Sequence, residues 1–535
     1  MKFDLPRINP EADPAFTDAK TCTEWLQALP LANVGPAHAR LLGELEELNC
    51  FEMLPGERIK VLELLGEAVL FVQSELARKY AGKAVPLGNQ ERAVFLNVLA
   101  LWSAFARGWQ HCFQDLVKGI GGVSGQAALI CQRAVWSAGL KFAEHYTVYQ
   151  DFGAAEWRQL NQIYAFAERS GVAGKRVSHP SQKSAPDVSC AESFTQVHML
   201  ALANPNEHAP RQQALVARWT EIWARKVALS DQAPEDAGGA PLSVALDADA
   251  CASRAPKEGG ADLRYFQTHE IETSLARRIA ALKRGESPDS LGLGNDVSEG
   301  LAAQMLVMLK QQWCEDRTAR KTQRRSASQH AELCCGIAAM HYFISGRPFE
   351  TRDNVSVLTP QQREHIETFG QLSTRAKANP GIAQEFALEQ WRILDESLSG
   401  FRLERPRNSG SARFLHQQLA AVRPSDAGYF SLCSVRWISV FENSILCIGA
   451  RVMPGVPQGI AIRIGGIKSP ADKFVPALLL PAVPALRAPS TLIVPAGWFR
   501  PKRLIDIQSS SIEKVLLTGA IERGSDFERC TYEPA

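Results

Sequence analysis

Residues 391–403 have the sequence Trp-Arg-Ile-Leu-Asp-Glu-Ser-Leu-Ser-Gly-Phe-Arg-Leu, which contains a polar turn between two apolar segments. An apolar run precedes the polar segment 395–400, and the alternating apolar residues Phe401 and Leu403 follow it. This pattern predicts two strands joined by a tight turn. Asp and Ser side chains can hold local amides or offer acceptors outward, and Gly400 permits a positive φ or the close approach of a ligand. Taken alone, this is the pattern of a simple hairpin.

A cluster of basic residues lies upstream of the hairpin. Five positively charged residues fall within nine positions, and they are Arg317, Arg320, Lys321, Arg324 and Arg325. One interpretation is a solvated helix end, where cations favour the negative end of the helix dipole. The other is an anion site, because guanidinium groups bind phosphate oxygens in a bidentate manner. The cluster alone is compatible with both.

The composition is typical of a multidomain globular protein. A chain of 535 residues is long enough for two to four domains, and a net charge of +2 predicts no general attraction to nucleic acid or membranes. Twelve cysteines without a CxxC pair indicate reduced thiols. The longest apolar runs, such as residues 474–486, are broken by prolines, which argues against a membrane span. With no signal-peptide pattern at the start, we expect a cytoplasmic protein.

The N-terminal part has the periodicity of a helical protein. From Pro55 onward, apolar residues recur every three or four positions, and the same pattern returns up to residue 230. The aromatic residues of this part, including Trp102 and Trp109, are expected to pack in a core rather than to hold a cofactor. We therefore predict a helical bundle or helix-hairpin region at 1–230, followed at 231–316 by a linker, an uncertain mixed segment and a helix.

The C-terminal part has the pattern of short strands. The apolar run 331–344 is predicted as a strand, and residues 435–438 and 444–450 as a strand pair. Closely spaced strands and turns favour a small closed barrel at 317–470, with an insertion at about 346–390. Residues 471–535 show the same pattern of short strands and turns, which predicts a second β unit. The expected fold class is α+β, an all-helical N-terminal region followed by two β units.

The chain contains no pattern typical of an enzyme. No nucleophile–base pair and no metal-ligand spacing stands out, and the glycines at 119–125 are not followed by Gly-Lys-Ser/Thr. We expect no catalytic residue, no metal and no cofactor. Nucleic-acid binding by the basic cluster is disfavoured, because the cluster is short and has no interleaved aromatic residues.

Two motifs together resemble a known family. An Arg-x-x-x-Arg element, Arg320 and Arg324, precedes an Asp-x-Ser-x-x-Gly turn, formed by Asp395, Ser397 and Gly400. This order, at the start of a barrel and then between two strands, resembles the PilZ family of bacterial cyclic-di-GMP receptors. The resemblance covers residues 317–463 and implies a PilZ-like barrel with cyclic-di-GMP as its ligand.

The resemblance also implies roles for individual residues. Arg320 and Arg324, with Arg325 beside them, would contact phosphates and guanine edges. Asp395 and Ser397 would hydrogen-bond guanine and phosphate, and Gly400 would allow close approach. These residue types suit the ligand, since guanine O6 and N7 accept from arginine and guanine N1 and N2 donate to a carboxylate.

Two functional hypotheses follow. The first is a non-enzymatic cytoplasmic cyclic-di-GMP effector, which couples the dinucleotide to an unidentified protein partner of its helical region in a motility or biofilm-type process. The alternative is a ligand-independent scaffold or adaptor with a degenerate barrel. Titration with cyclic-di-GMP separates the two.

Overall fold

The computed structural model describes residues 3–181, 185–234, 241–254, 262–315, 324–349, 386–406, 410–441, 445–466, 473–508 and 512–535. The chain divides into two compact units, Met1–Ala319 and Arg320–Ala535. The predicted fold class is confirmed, because helices dominate the first unit and two closed barrels form in the second.

The first unit is built from helices with apolar inner faces. Its helices are α1 (Ala19–Gln27), α2 (Val34–Cys50), α3 (Pro55–Ala77), α4 (Asn89–Lys118), α5 (Ala127–Thr147), α6 (Ala154–Arg169), α7 (Cys190–Leu202), α8 (Pro210–Trp223), α9 (His269–Lys283) and α10 (Glu299–Trp313). Helix α3 begins with Pro55 in its first turn, where the missing amide costs nothing. Trp102 and Trp109 of α4 are buried, so the expectation that these aromatic residues form core is confirmed.

Short strands lie between the helices. They are β1 (Arg176–Val177), β2 (Val188–Ser189), β3 (Ala228–Ser230), β4 (Ser243–Ala245) and β5 (Leu263–Gln267). The pair β1–β2 forms one sheet, and β3, β5 and β4 form a second in that order. Within the stretch predicted as a linker, a mixed segment and a helix, the structure has β4, β5, α9 and α10, which lie in the same compact unit as the preceding helices.

The second unit contains two six-stranded antiparallel barrels. The strands are β6 (Arg325–Cys335), β7 (Glu389–Ser397), β8 (Gly400–Arg405), β9 (Leu419–Pro424), β10 (Ser431–Val440), β11 (Leu446–Val452), β12 (Gln458–Ile464), β13 (Val475–Leu480), β14 (Thr491–Pro495), β15 (Leu504–Gln508), β16 (Ile512–Arg523) and β17 (Phe527–Pro534). The first barrel closes in the order β10-β11-β8-β7-β6-β9, and the second in the order β12-β13-β14-β17-β16-β15.

Two predicted boundaries are wrong. The run 331–344 is not one strand: β6 ends at Cys335, Gly336 takes φ +85°, and helix α11 (Ile337–Ser345) follows. An unbroken apolar run fits a buried strand and a buried helix equally well, so periodicity could not separate them. The first barrel also does not extend to residue 470, because β12 pairs with β13 and β15 of the second barrel. Most of the predicted insertion lies outside the described residues.

The two barrels share a hydrophobic cluster. Met340 of α11 and Phe430 and Leu432 of the first barrel belong to the same buried cluster as Leu478 and Phe527 of the second. Polar contacts accompany it: the amide of Leu419 donates to Asp526 Oδ1 at 2.9 Å, and the amide of Ser525 donates to the Gln417 carbonyl at 3.1 Å. Burial raises the pKa of Asp526, and the Leu419 amide opposes that shift. The barrels are thus packed as one body within their unit.

Among the helices that the structure describes, none has both the length and the apolar character needed to cross a membrane.

Candidate functional site

A β-bulge decides where Asp395 points. Trp391 and Ile393 alternate into the barrel interior and are fully buried. Strict alternation would send Asp395 inward as well. Instead Ile393 pairs with Leu403 while Asp395 pairs with Arg402, so Leu394 is an extra residue on β7. One extra residue moves the following side chains to the other face, and Asp395 is thereby carried on the outer face of the barrel.

Asp395 meets an arginine at the start of the barrel. Arg324 Nη1 donates to Asp395 Oδ1 at 2.5 Å, and the two side chains are 31% and 19% exposed. The register explains this contact, because Ser326 of β6 is the cross-strand partner of Asp395. Strand pairing brings the two residues together across a separation of 71 positions in sequence. A partly buried arginine–carboxylate pair of this kind is a charge-assisted hydrogen bond.

The turn after Asp395 is held by its own serines. The Ser399 amide donates to Ser397 Oγ at 3.3 Å, and the two hydroxyl oxygens lie 3.2 Å apart. Leu398 is 97% exposed, so its side chain does not anchor the turn. The Ser399 carbonyl accepts from the Val452 amide at 3.0 Å, which ties the turn to β11.

Gly400 is required by the neighbouring strand. The residue does not adopt a positive φ. A Cβ at this position would lie 2.4 Å from the Ala450 carbonyl oxygen of β11. The close approach at this glycine is one between two backbones, β8 and β11. The close approach of a ligand stays a prediction.

The remaining predicted residues are placed differently. Arg320 lies outside the described residues. Arg325 is exposed at the first position of β6 and is the cross-strand partner of Glu396. Successive residues of a strand alternate between its two faces, so the Cβ of Arg325 lies on the face opposite to that of Ser326 and Asp395. The structure thus brings Arg324, Asp395 and the Ser397 turn together and leaves Arg325 to one side.

Two residues of this outer face were missed by the sequence analysis. Arg402 of β8 is the cross-strand partner of Asp395 and of Gly449, and its Nη1 lies 3.9 Å from Asp395 Oδ2. Gly449 in turn pairs with Trp437 of β10, whose indole lies directly over the glycine. Asp395, Arg402, Gly449 and Trp437 therefore form one row across four strands. The sequence contained one signal for Arg402 and Trp437. Each precedes an apolar residue of its strand, Leu403 or Ile438, that is buried inside the barrel, so alternation places both on the outer face.

The electrostatics of this face favour charged arginine. A hydrogen bond from Arg402 to the Cys447 side chain is the main cause that raises the pKa of the guanidinium, against the opposing effect of burial. Burial raises the pKa of the Cys447 thiol, and Arg402 partly offsets that. Arg402 is therefore a fixed cation beside Asp395 at every physiological pH.

This combination of groups suits a nucleotide better than a metal. Within the described residues, no cluster of three His, Cys, Asp or Glu side chains is arranged to hold a metal ion. Two guanidinium groups offer donors to phosphate oxygens, one carboxylate accepts from base N–H groups, and the half-buried indole of Trp437 offers a stacking surface. Together they could bind a ligand that carries both phosphate and purine.

Comparisons with known proteins cover most of the chain. Residues 20–235 match the family described as "Cyclic-di-GMP receptor FimW, N-terminal domain", and residues 247–379 match its middle PilZ domain. Residues 460–535 match the "FimW C-terminal beta-barrel domain", consistent with the place of β12 in the second barrel. The chain is also 24% identical over 565 residues to "Cyclic-di-GMP receptor FimW" of Pseudomonas aeruginosa, covering 97% of this chain and 92% of that protein.

Proposed function

Because the chain belongs to the family of PilZ-domain cyclic-di-GMP receptors, a binding rather than a catalytic family, we propose that it binds cyclic-di-GMP on the outer face of its first barrel. The observation that carries this proposal is the contact of Arg324 with Asp395 at 2.5 Å. It places the end of the arginine motif against the Asp-x-Ser turn, although the two are far apart in sequence.

Each group of the site has a proposed role. Arg324 and Arg402 bind phosphate oxygens or the guanine O6 and N7 acceptors, for which a guanidinium fork is suited. Asp395 accepts from guanine N1 and N2, and Ser397 donates its hydroxyl to a phosphate. Trp437 stacks on a guanine face. From the arginine motif, Arg320 stays in the proposed ligand set. Arg325 could join it only through its exposed side chain, because it begins on the face of β6 opposite to Asp395.

The pair of Arg324 and Asp395 prepares both groups for the ligand. Arginine has five donor hydrogens, so Nη1 can stay on Asp395 while the other nitrogens bind the dinucleotide. The carboxylate has further acceptor sites on its second oxygen. The pair therefore fixes both side chains before the ligand arrives, which lowers the entropic cost of binding.

The output of the receptor is a protein interaction. We propose that the helical unit binds a protein partner in a motility or biofilm-type process, and that the protein acts in the cytoplasm. This part of the proposal rests on the resemblance to the family. Recovery of the same partner from the native host, with and without added dinucleotide, tests whether the ligand controls that interaction.

Titration calorimetry of the full chain with cyclic-di-GMP tests the binding proposal. We expect saturable binding by the wild type, and for Asp395→Ala a loss of about tenfold to a hundredfold, because a charge-assisted hydrogen-bond partner is removed. Glu332→Ala is the matched control, since Glu332 is also a carboxylate paired with an arginine, Arg423, but it faces Gln390 at the end of β7 remote from Asp395. Absence of binding by the folded wild type would leave the ligand-independent scaffold as the better account.

A further inference from the structure

A cluster of arginines surrounds one carboxylate where the two barrels meet. Glu522 of β16 in the second barrel has a side chain that is only 10% exposed. Arg451 Nη2 of the first barrel lies 2.9 Å from Glu522 Oε2, and Arg436 Nη1 lies 3.5 Å from Oε1. Arg529 is the cross-strand partner of Glu522 on β17. Two guanidinium groups of the first barrel therefore pair with a single acidic side chain, and the charge of that side chain also acts on Arg529 of the neighbouring strand.

The cluster adjoins the proposed dinucleotide site. Arg451 is the cross-strand partner of Gly400, and the next residue, Val452, donates its amide to the Ser399 carbonyl. Arg451 and Gly449 are two positions apart on β11, so they lie on the same face of the strand. The Trp437 indole covers Gly449 on this face. Arg451 thus lies on the outer face beside the Ser397–Gly400 turn, in the row next to that of Asp395 and Arg402.

The charges of the cluster make Arg451 available to an anion. Glu522 is shared between two arginines of the first barrel, so neither has the carboxylate to itself. Burial lowers the pKa of Arg529, and the charge of Arg451 lowers it further while Glu522 opposes both, so the arginines repel each other. The Arg451 side chain is 48% exposed, so an incoming phosphate can reach it without opening the barrel.

We propose that Arg451 is a further cyclic-di-GMP-binding residue, and that a phosphate of the ligand competes with Glu522 of the second barrel for its guanidinium. This inference rests on the proposed function and extends it to the C-terminal barrel. In the free protein Glu522 holds Arg451 in place beside the turn. In the complex the phosphate replaces the carboxylate as the partner of Arg451.

The exchange couples the ligand to the contact between the barrels. A phosphate and a carboxylate present the same kind of acceptor to the guanidinium fork, so one can replace the other without a new buried charge. Linkage requires that the factor by which Glu522 weakens ligand binding equals the factor by which the ligand weakens the Arg451–Glu522 contact. The second barrel is then part of the sensing unit.

Calorimetric titration of three variants with cyclic-di-GMP tests the exchange. For Glu522→Gln we expect binding to tighten by about threefold to tenfold, because the competing charge is removed while the side-chain shape is kept. For Arg451→Ala we expect about tenfold weaker binding, because one charge-assisted contact is lost. The double variant should bind like Arg451→Ala alone, since Glu522 acts through Arg451.

Matched controls separate this effect from a change of net charge. Glu332→Gln and Arg423→Ala make the same charge changes in an ion pair on β6 and β9, and both should bind as the wild type does. Thermal unfolding of each variant reports whether it is folded. If Glu522→Gln does not fold, Arg451→Ala alone carries the test, because its side chain is half exposed.

The outcomes distinguish the two proposals. If the wild type binds and Asp395→Ala binds about tenfold to a hundredfold more weakly, but Arg451→Ala and Glu522→Gln bind as the wild type, the proposed function stands and the exchange is overturned. Weaker binding by Glu522→Gln also overturns the exchange. If the wild type itself does not bind, the proposed function fails.

Discussion

At the scale of single residues, the candidate site depends on one insertion and one contact. The extra residue Leu394 carries Asp395 to the outer face, and Arg324 reaches it there. The sequence motifs predict both charged residues of this pair. They do not reveal the bulge, because strand alternation counted from Ile393 places Asp395 inside. They also do not reveal Arg402 and Trp437, whose place depends on the register of four strands.

Gly400→Ala tests the backbone contact at this scale. A Cβ 2.4 Å from the Ala450 carbonyl oxygen must displace β8 from β11. We expect the first barrel to lose about 1–3 kcal/mol of unfolding free energy, the range for overpacked sites, and ligand affinity to fall with it. Denaturant unfolding and titration measure the two effects. Gly428→Ala, with nothing within 4 Å of the added methyl group, is the control. Wild-type stability of Gly400→Ala would contradict the close contact.

At the scale of elements, the apolar periodicity predicts the helices and strands that have a regular pattern. It does not predict those that are determined by tertiary contacts. The helix that starts at Pro55 and the strand pair of β10 and β11 agree with their patterns. The run 331–344 does not, because its second half forms α11, whose buried Met340 belongs to the cluster shared by the barrels. The assignment of β12 could not be predicted either, since which barrel a strand joins is decided by its long-range partners.

Partly buried histidines in the helical unit make its stability depend on pH. Burial is the main cause that lowers the pKa of His145 on α5 and of His111 on α4, each to about 4. Their unfolded pKa is about 6.5, so the unfolded chain binds more protons than the folded one between pH 4 and 6.5. The stability that neutral histidine provides is therefore complete above pH 6.5 and is lost as the pH falls toward 4.

The test replaces one of these histidines. His145→Gln cannot become charged, so we expect its unfolding free energy to fall less between pH 6.5 and 5 than that of the wild type, by up to about 1.4 kcal/mol per pH unit. Comparison with the wild type cancels the opposite effect of Glu144, whose pKa burial raises. The control variant is His269→Gln, in which the same substitution is made at an exposed histidine. Equal slopes for His145→Gln and the wild type would contradict a neutral, partly buried His145.

At the scale of the whole molecule, the second unit is expected to respond as one body. Phe430 is 4% exposed, lies under the guanidinium of Arg423 and belongs to the cluster that also contains Leu478 and Phe527 of the second barrel. The sequence predicts two β units but not this shared core, because nothing in the pattern of either unit shows which surfaces meet.

Phe430→Ala tests the shared core. We expect a loss of about 3–5 kcal/mol, with faster amide hydrogen exchange in β13 and β14 of the second barrel as well as in β10. Tyr429→Ala, which removes the neighbouring ring that is 53% exposed, should leave exchange unchanged. Retention of wild-type protection in β13 and β14 would mean that the barrels unfold independently.

Arg324, Asp395 and the Ser397 turn form the site at which we propose that cyclic-di-GMP binds. Hydrogen exchange of the full chain, measured with and without saturating cyclic-di-GMP, tests both the binding and its location. We expect slower exchange in the β7–β8 hairpin and in the neighbouring strands β11 and β10. At the lowest ligand concentration that saturates the wild type, Asp395→Ala should show much weaker protection there. No protection of the hairpin in the wild type, or protection confined to the helical unit, would contradict it.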